Sequence, residues 1–596
     1  MLTEQDNIKK LYNTLKAKRG EYLTLWQDIS DFTSLVVDPK YSEGSKTSGS
    51  QQLDQYVDDP TAALSVFTAA DYLLGIVWGL GGDAFEIKPS QALLEISEAE
   101  TLKPYFDYIT TKTLAALAHP ESGLSASLKS YFQDQYAFGT SGLGVFKNPA
   151  YLKGQEENPL LIRNYGVDNI AIDEGKNGLV EYIFISYIWR VNQIVNQFCV
   201  NDKGVIDDKL LATLPEKIKD AWESANYETE FKIIHGVYPR EDYNPRLRGK
   251  RGAKYKGVWF TEDEGTVFAE EDYKTIPIAV CRQTRVRGEV YGRSAGTILI
   301  SSIKTINYAI GQVIEILEKM NNPAMLLANN ALIGDSVLDT SAEGIVIFNE
   351  SLLGNSKSPV SPMYDVGDPT PIINWLEPYL NQKITSAFKI DLLLDFNSRA
   401  NMTASESTQR YIIRGQSLSG MLQQQFSESV YPVARRAISL LMDMNELGVN
   451  PVVDKNRAAS LREENRIEQI VPDGVVQLMA SGRQWYEIIP NERVRKMMQT
   501  EKLEALLQFI NAVTMVASLN PQVLGGVDFY GLLQDVAQEL NVGVDRLIGE
   551  REYKAMIEAQ NQAQAQASQL QAMQIGAQTG KDIAHGRKLT SESVKP

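Results

Sequence analysis

The sequence predicts a mainly helical α+β protein, and three observations carry that expectation. Apolar residues recur at steps of three and four in the first eighty residues and again beyond residue 400. Between about 160 and 290 the period shortens to alternating and aromatic-rich runs, which is the pattern of strands. From 299 to 320 a heptad seam appears, and Asn321-Asn322-Pro323 ends it sharply.

Taken in order, Leu15, Arg19, Tyr22, Trp26, Ile29 and Phe32 form one stripe and predict a single docking helix. A Ser-, Gly- and Gln-rich loop follows over 41–52, and Asp59-Pro60 starts a second helix with Pro in its first turn. Its apolar run continues to Leu80 and stops at Gly81-Gly82. The apolar stretch 69–80 contains Asp71 and is too short for a membrane span, so it reads as a buried helix.

Strands are expected at 179–189, 231–238, 257–260, 266–269 and 276–281, separated by turn signals at Lys176-Asn177-Gly178 and Glu264-Gly265. Helices at 191–200 and near 210–226 interrupt this antiparallel region. In the seam, Leu299, Ile303, Ile306, Ile310, Val313, Leu317 and Met320 place a narrow apolar stripe against neighbouring helices of the same or an adjacent subunit. Two short apolar runs, 325–328 and 344–348, mark a small β-containing insertion, and a helix over about 372–393 returns the chain.

The loop 395–401 carries Phe396, Asn397, Ser398, Arg399 and Asn401. Thr403-Ala404-Ser405-Glu406 is a capping box, so a long helix starts there and runs to about Glu446, weakened at Gly415, Gly420 and Pro432. The stretch 451–557 reads as helical with short connections. The Gln- and Ala-rich tract 559–578 has helix propensity but almost no apolar face, so it adds little to a protomer alone.

Composition narrows the functions. With 59 Lys and Arg against 75 Asp and Glu in 596 residues, the formal charge is -16, which argues against a protein that coats nucleic acid. An acidic wall does suit a polyanion that must slide past without sticking. Cys199 and Cys281 lie far apart in no metal-ligand spacing, which fits a reducing compartment and gives no zinc site. The polar start, Met1 to Lys10, does not read as a secretory signal.

Catalytic constellations are thin. Only His119, His235 and His585 are present, and no phosphate-binding Gly-x-x-x-x-Gly-Lys motif occurs, so the chain is not itself a motor. Gly79-Leu80-Gly81-Gly82 lacks the spacing of a dinucleotide loop. The carboxylates of Glu262-Asp263-Glu264 and Glu270-Glu271-Asp272 read as turns and solvated faces. One basic run, Arg246 to Arg251 with Lys254 and Lys256, reads either as a solvated loop or as a contact to DNA or an acidic neighbour. No cofactor, metal or catalytic residue is expected.

The ordered motifs resemble the head-to-tail connector, or portal, family of podovirus-like phages. Arg19-x-x-Tyr22-x-x-x-Trp26-x-x-Ile29 looks like that family's opening helix, and the helix after Asp58-Asp59-Pro60 like its second. Lys232 to Arg240 resembles the family's strand ending in Pro-Arg. The most specific part runs from Ile276-Pro277 through Arg282 to Gly288-Glu289-Val290-Tyr291-Gly292-Arg293-Ser294, and Asn401 to Glu406 resembles the start of the long helix. Ala295 departs from the proline expected after Tyr-Gly-Arg-Ser. The similarities span roughly residues 1 to 540.

The resemblance implies a non-enzymatic, dodecameric ring at one capsid vertex of a virion assembled in the host cytoplasm, with double-stranded DNA passing through its channel. It implies a wing over 1–290, stem helices over 291–322 and 372–393 flanking a clip over 323–371, and a tunnel loop over 394–402. A long wing helix over 403–447, a crown over 448–556 and a barrel or tail over 557–596 complete it. Implied partners are the terminase motor and then a tail adaptor at the clip, with the major capsid and scaffolding proteins around the ring. The competing readings are another virion structural protein, such as a tail adaptor or internal core protein, and a hydrolase whose carboxylates meet from distant positions.

Overall fold

A computed structural model describes residues 4–33, 59–79, 83–200, 205–244, 247, 249–321, 325–327, 360–362, 370–390, 417–464, 466–491, 494–495, 509–510, 512–513, 515 and 531–532. The chain divides into two units, 1–407 with 417–494 and 408–416 with 495–596. Only short helical fragments of the second unit are among the described residues.

The opening stripe folds as two helices rather than one, α1 (Glu4–Gly20) and α2 (Leu23–Thr33). The break falls at Gly20, where helix propensity is low, and the Tyr22 amide bonds the Arg19 carbonyl at 3.0 Å to close the turn. α3 (Thr61–Val77) begins as expected, with Asp59 Oδ1 accepting from the Thr61 amide at 3.2 Å and its hydroxyl at 2.6 Å. It ends at Val77, three residues before the expected stop, and Gly79 takes the left-handed conformation there.

A segment with no strong signal in the sequence follows: β1 (Phe85–Pro89), α4 (Gln91–Leu94), α5 (Ala99–Ala118), α6 (Leu124–Phe138), β2 (Thr140–Lys147), α7 (Pro149–Leu152) and β3 (Leu160–Tyr165). Then come β4 (Ile170–Glu174), β5 (Val180–Arg190), α8 (Val191–Phe198), α9 (Asp208–Leu211) and α10 (Glu216–Glu223). The expected helix near 210–226 is thus two short ones, divided before Pro215, which occupies the N-cap of α10. β6 (Glu230–Pro239), β7 (Tyr255–Thr261), β8 (Val267–Tyr273) and β9 (Ile278–Arg282) complete the mixed region.

β4 to β8 form an antiparallel meander in sequence order, as the turn signals predict. Alternation gives the sheet two apolar faces. On one, Phe184, Ile234, Val258 and Phe260 pack under Ile8, Tyr12 and Leu15 of α1. On the other, Ile233 and Trp259 pack with Val191, Ile194 and Val195 of α8 and Ile218 of α10. β9 leaves the meander and joins β2 and β3 in the order β3-β2-β9.

α11 (Ala295–Asn321) is the heptad helix, and it packs on α12 (Thr370–Ala387). Between them, β10 (Met325–Leu327) pairs antiparallel with β11 (Val360–Pro362), so the insertion does carry β structure; the expected run 344–348 lies outside the described residues. A helix described from 417 passes through a π turn at Phe426–Val430 and continues as Tyr431–Asp443. Pro432 sits at the start of that last segment. Its missing N–H and the wider turn before it coincide, as expected of a proline that cannot continue the hydrogen-bond ladder.

Beyond it, Lys455–Glu463 and Asp473–Ala480 are helical, but 486–490 is not. Tyr486–Pro490 forms β12, antiparallel to β1 with Phe85 opposite Pro490. The all-helical expectation for 451–557 fails at this strand, where Ile488 is buried against the sheet partner.

Candidate functional site: a helical surface and its anchor

α11 is fixed at its base by the segment Tyr291 to Ser294. The Tyr291 hydroxyl accepts from the Ile172 amide at 3.3 Å and donates to the Ile170 carbonyl at 3.4 Å, and its ring meets Trp26 edge-on at 5.0 Å and Tyr22 at 5.2 Å. Two segments that carry the family resemblance are therefore in direct contact. The Ser294 hydroxyl donates to the Ala137 carbonyl at 2.6 Å and accepts from the Thr297 amide at 3.0 Å, while Thr297 Oγ1 accepts from the Ser294 amide at 2.8 Å. That reciprocal pair caps α11 and ties it to the end of α6. Further along, Lys304 pairs with Asp28 at 2.8 Å, and Asn307 accepts from the Asp59 amide at 3.2 Å.

The seam divides along its length. Ile303 and Ile306 are buried, Leu299, Ile310 and Val313 are half-buried, and Leu317 and Met320 are exposed at 51% and 45%. Ile298, Tyr308 and Ile314 add exposed apolar surface on the same helix. On α12, Leu380 and Ile384 face inward, while Trp375 and Tyr379 stand outward with their rings stacked at 5.8 Å and Lys383 4.2 Å above Tyr379.

The loop residues Phe396, Asn397, Ser398, Arg399 and Asn401, and the capping box 403–406, lie outside the described residues. So does His585. The other histidines do no visible chemistry. His119 Nδ1 accepts from the Glu121 amide at 3.3 Å as a helix cap. His235 is fully buried, stacked flat on Trp259 at 4.0 Å, with Tyr273 Oη 3.3 Å from Nε2; burial pushes its pKa down to about 3. Cys199 and Cys281 are both buried and free, and burial pushes both thiols above their ordinary range. Among the described residues no group of carboxylates, histidines and cysteines could hold a metal ion, and no helix is long and apolar enough to cross a membrane.

Of the two carboxylate clusters, Asp263, Glu264, Glu270 and Asp272 are exposed as expected, while Glu262 and Glu271 are half-buried. Glu262 accepts from Lys16 at 2.8 Å, Lys232 at 2.9 Å and Tyr12 at 3.0 Å; burial works against its charge, but these partners outweigh it and hold the pKa at about 2. The described part of the basic run is neutralised locally. Arg251 pairs with Asp242, Lys254 with Glu181, and Lys256 with Glu270.

One node had no sequence signal. Arg282, at the end of β9, is 1% exposed and bonded to Glu428 of the π turn, Glu174 of β4 and the Gly178 carbonyl. The partners are separated by about a hundred residues or more, and nothing local in either strand or helix announces the pairing.

α11 and α12 thus carry exposed apolar side chains, and α11 is held at its base by aromatic and hydrogen-bonded contacts. The family model described as "Bacteriophage head to tail connecting protein" matches residues 5–469. The chain therefore belongs to the bacteriophage head-to-tail connecting protein family. It is similar to the portal protein of Salmonella phage epsilon15, 20% identical over 99% of this chain and 96% of that protein. It is also similar to the probable portal protein of Bordetella phage BPP-1, 22% identical over 75% of this chain and 76% of that one. Among solved structures, a chain in the neck of an empty gene transfer agent particle matches at 11% identity with a TM-score of 0.32, covering 84% of this chain and 98% of that one.

Proposed function

We propose that this chain is a phage portal: a non-enzymatic subunit of a ring of about twelve copies at one vertex of the virion, through which double-stranded DNA enters and leaves. The observation that supports this most directly is the exposed apolar surface of α11 and α12, where Leu317, Met320, Trp375 and Tyr379 are between 45% and 66% exposed. A second copy placed alongside would bury it, and each large apolar side chain so buried contributes about 1.5–3 kcal/mol.

In this reading α11 and α12 are the stem, the β10–β11 hairpin belongs to a clip that docks the terminase and later a tail adaptor, and the loop 394–402 lines the tunnel. Residues 1–290 and 403–447 form the wing, 448–556 the crown and 557–596 a barrel or tail. Scaffolding and major capsid proteins surround the wing. The charge of -16 keeps DNA from sticking to the channel.

Mass measurement and negative-stain imaging of the purified full chain test the proposal. A closed ring of about twelve copies is expected. A monodisperse monomer or two-fold dimer at all concentrations would overturn it.

A further inference from the structure

Between the α8-bearing face of the β4–β8 sheet, the β2–β3 strands and the helix Tyr431–Asp443 lies a cleft of about 640 Å³, well within the range of ligand pockets. Its floor is aromatic. Trp259 stacks on Trp189 with centroids 5.5 Å apart and on Tyr187 at 5.7 Å, and the outer two rings keep part of their surface in solvent.

The charges lining it are unequally engaged. Glu271 already accepts from Trp259 Nε1 and the Tyr273 hydroxyl, Asp272 holds Arg240, and Asp443 holds Lys274 at 2.6 Å. The cations differ. Lys147 and Arg163 are exposed at the rim and form no ion pair among the described residues.

Arg436 is the informative one. It is 6% exposed, donates Nε to the Val145 carbonyl at 3.2 Å and Nη1 to Thr275 Oγ1 at 3.4 Å, and lies 5.1 Å over the Tyr273 ring. Asp443 and Glu271 act on it from a distance, but no carboxylate among the described residues pairs with it. A desolvated guanidinium without a counter-ion is costly, because buried charges are ordinarily paired. Burial lowers its pKa to about 10, outweighing the opposing pull of Tyr273, Asp443 and Glu271.

We infer that this cleft binds a peptide segment of a partner protein in which an acidic side chain neighbours an aromatic or branched apolar one. The carboxylate completes Arg436, with Lys147 and Arg163 closing over it, and the apolar side chain lies on Tyr187 and Trp189. A nucleic-acid strand suits the cleft less, because it brings a phosphate at every residue and the lining also carries Glu271, Asp272 and Asp443. This site is separate from the helical surface assigned to ring formation, so either assignment can fail without the other.

The test titrates the full-length protein with fluorescein-labelled capped pentapeptides, Gly-Phe-Asp-Phe-Gly and its Asn and Lys counterparts, and with an oligothymidylate of equal length, by fluorescence anisotropy. The Asp peptide is expected to bind at least tenfold tighter than the Asn peptide. Lys147→Glu with Arg163→Glu, both at exposed positions, should abolish that preference, and Trp189→Ala should weaken all three peptides. Arg436→Met should erase the difference between Asp and Asn if the variant folds, and the rim variants decide the matter if it does not. Equal binding of the three peptides, tighter binding of the oligothymidylate, or an unchanged preference in the rim variant would each overturn the inference.

Discussion

Arg282 and Glu428 bond three times in the buried interior: Arg282 Nη2 donates to Glu428 Oε1 at 2.7 Å, and the Arg282 amide and Nε donate to Glu428 Oε2 at 2.9 and 3.4 Å. The pair joins the last strand of one sheet to the π turn of the long helix. Glu428 is 5% exposed. Removing the carboxylate leaves a buried guanidinium and a buried amide short of an acceptor, which costs far more than the pair itself contributes. Glu428→Ala should therefore destabilise the folded chain by about 3–5 kcal/mol, measured by denaturant unfolding. A loss within error would show that Glu174 and the Gly178 carbonyl suffice for Arg282.

Gly139 and Gly292 approach each other so closely that neither admits a side chain. A Cβ on Gly292 would fall 2.5 Å from the Gly139 carbonyl oxygen, and one on Gly139 would overlap the Gly292 carbonyl at a left-handed φ of 87°. This contact carries the base of α11 onto the end of α6. Gly292→Ala and Gly139→Ala should each cost about 1–3 kcal/mol through forced backbone shifts. Thermal unfolding of each single variant checks this, and unchanged midpoints would mean that the base of α11 is free to move.

His235 makes stability depend on pH. Its folded pKa is about 3 against an ordinary 6.5, so between those values the unfolded chain binds a proton that the folded one does not. Stability from this group is then present above pH 6.5 and is lost as pH falls toward 3. Glu262 acts lower: its charge stabilises the fold above pH 4.5, and that contribution is lost as pH falls toward 2. Unfolding free energy should decline by up to about 1.4 kcal/mol per pH unit per proton below pH 6.5. His235→Phe should flatten the slope between pH 6 and 5, before carboxylates titrate; an equal slope in both proteins would assign it to other groups.

Arg399 is proposed to meet DNA phosphates from the loop 394–402, since it stands among small polar residues in a chain of net charge -16. Arg399→Glu should leave assembly intact and lower the yield of DNA-filled particles or the packaged length. Wild-type values for both would remove the loop from the DNA path.

Local periodicity made much of this fold legible. The meander follows the runs at 179–189, 231–238, 257–260 and 266–269, and α11 follows the heptad. Long-range partners stayed hidden because no local pattern encodes them. The Phe85–Pro490 register, the Arg282–Glu428 pair and the Trp26–Tyr291 contact each depend on segments far apart in sequence. The break at Gly20 was masked by a stripe that stays in phase across the turn, since Leu15 and Arg19 before it and Tyr22, Trp26 and Ile29 after it keep steps of three and four. The cleft lined by Arg436 had no motif at all, because its aromatic floor comes from β5 and β7 and its buried cation from a helix near residue 436.

The seam makes the sharpest prediction, because burial separates its residues into two roles. Ile306 is 1% exposed and packs within the protomer, so Ile306→Asp places a charge in the core and should abolish folding of the single chain. Leu317 is 51% exposed on the same helix, so Leu317→Asp removes little of the protomer's own packing and should leave its circular dichroism unchanged and its thermal midpoint nearly so. In the proposed ring, however, that side chain would be covered by a neighbouring copy, where an unpaired carboxylate is costly. Leu317→Asp should then yield folded chains that do not close into rings, and half-buried Ile310→Asp should block rings with some loss of stability. Sedimentation and negative-stain imaging read the assembly state. Normal rings from Leu317→Asp would show that the outer seam is not an assembly surface, and a protomer that unfolds with it would place Leu317 in the core.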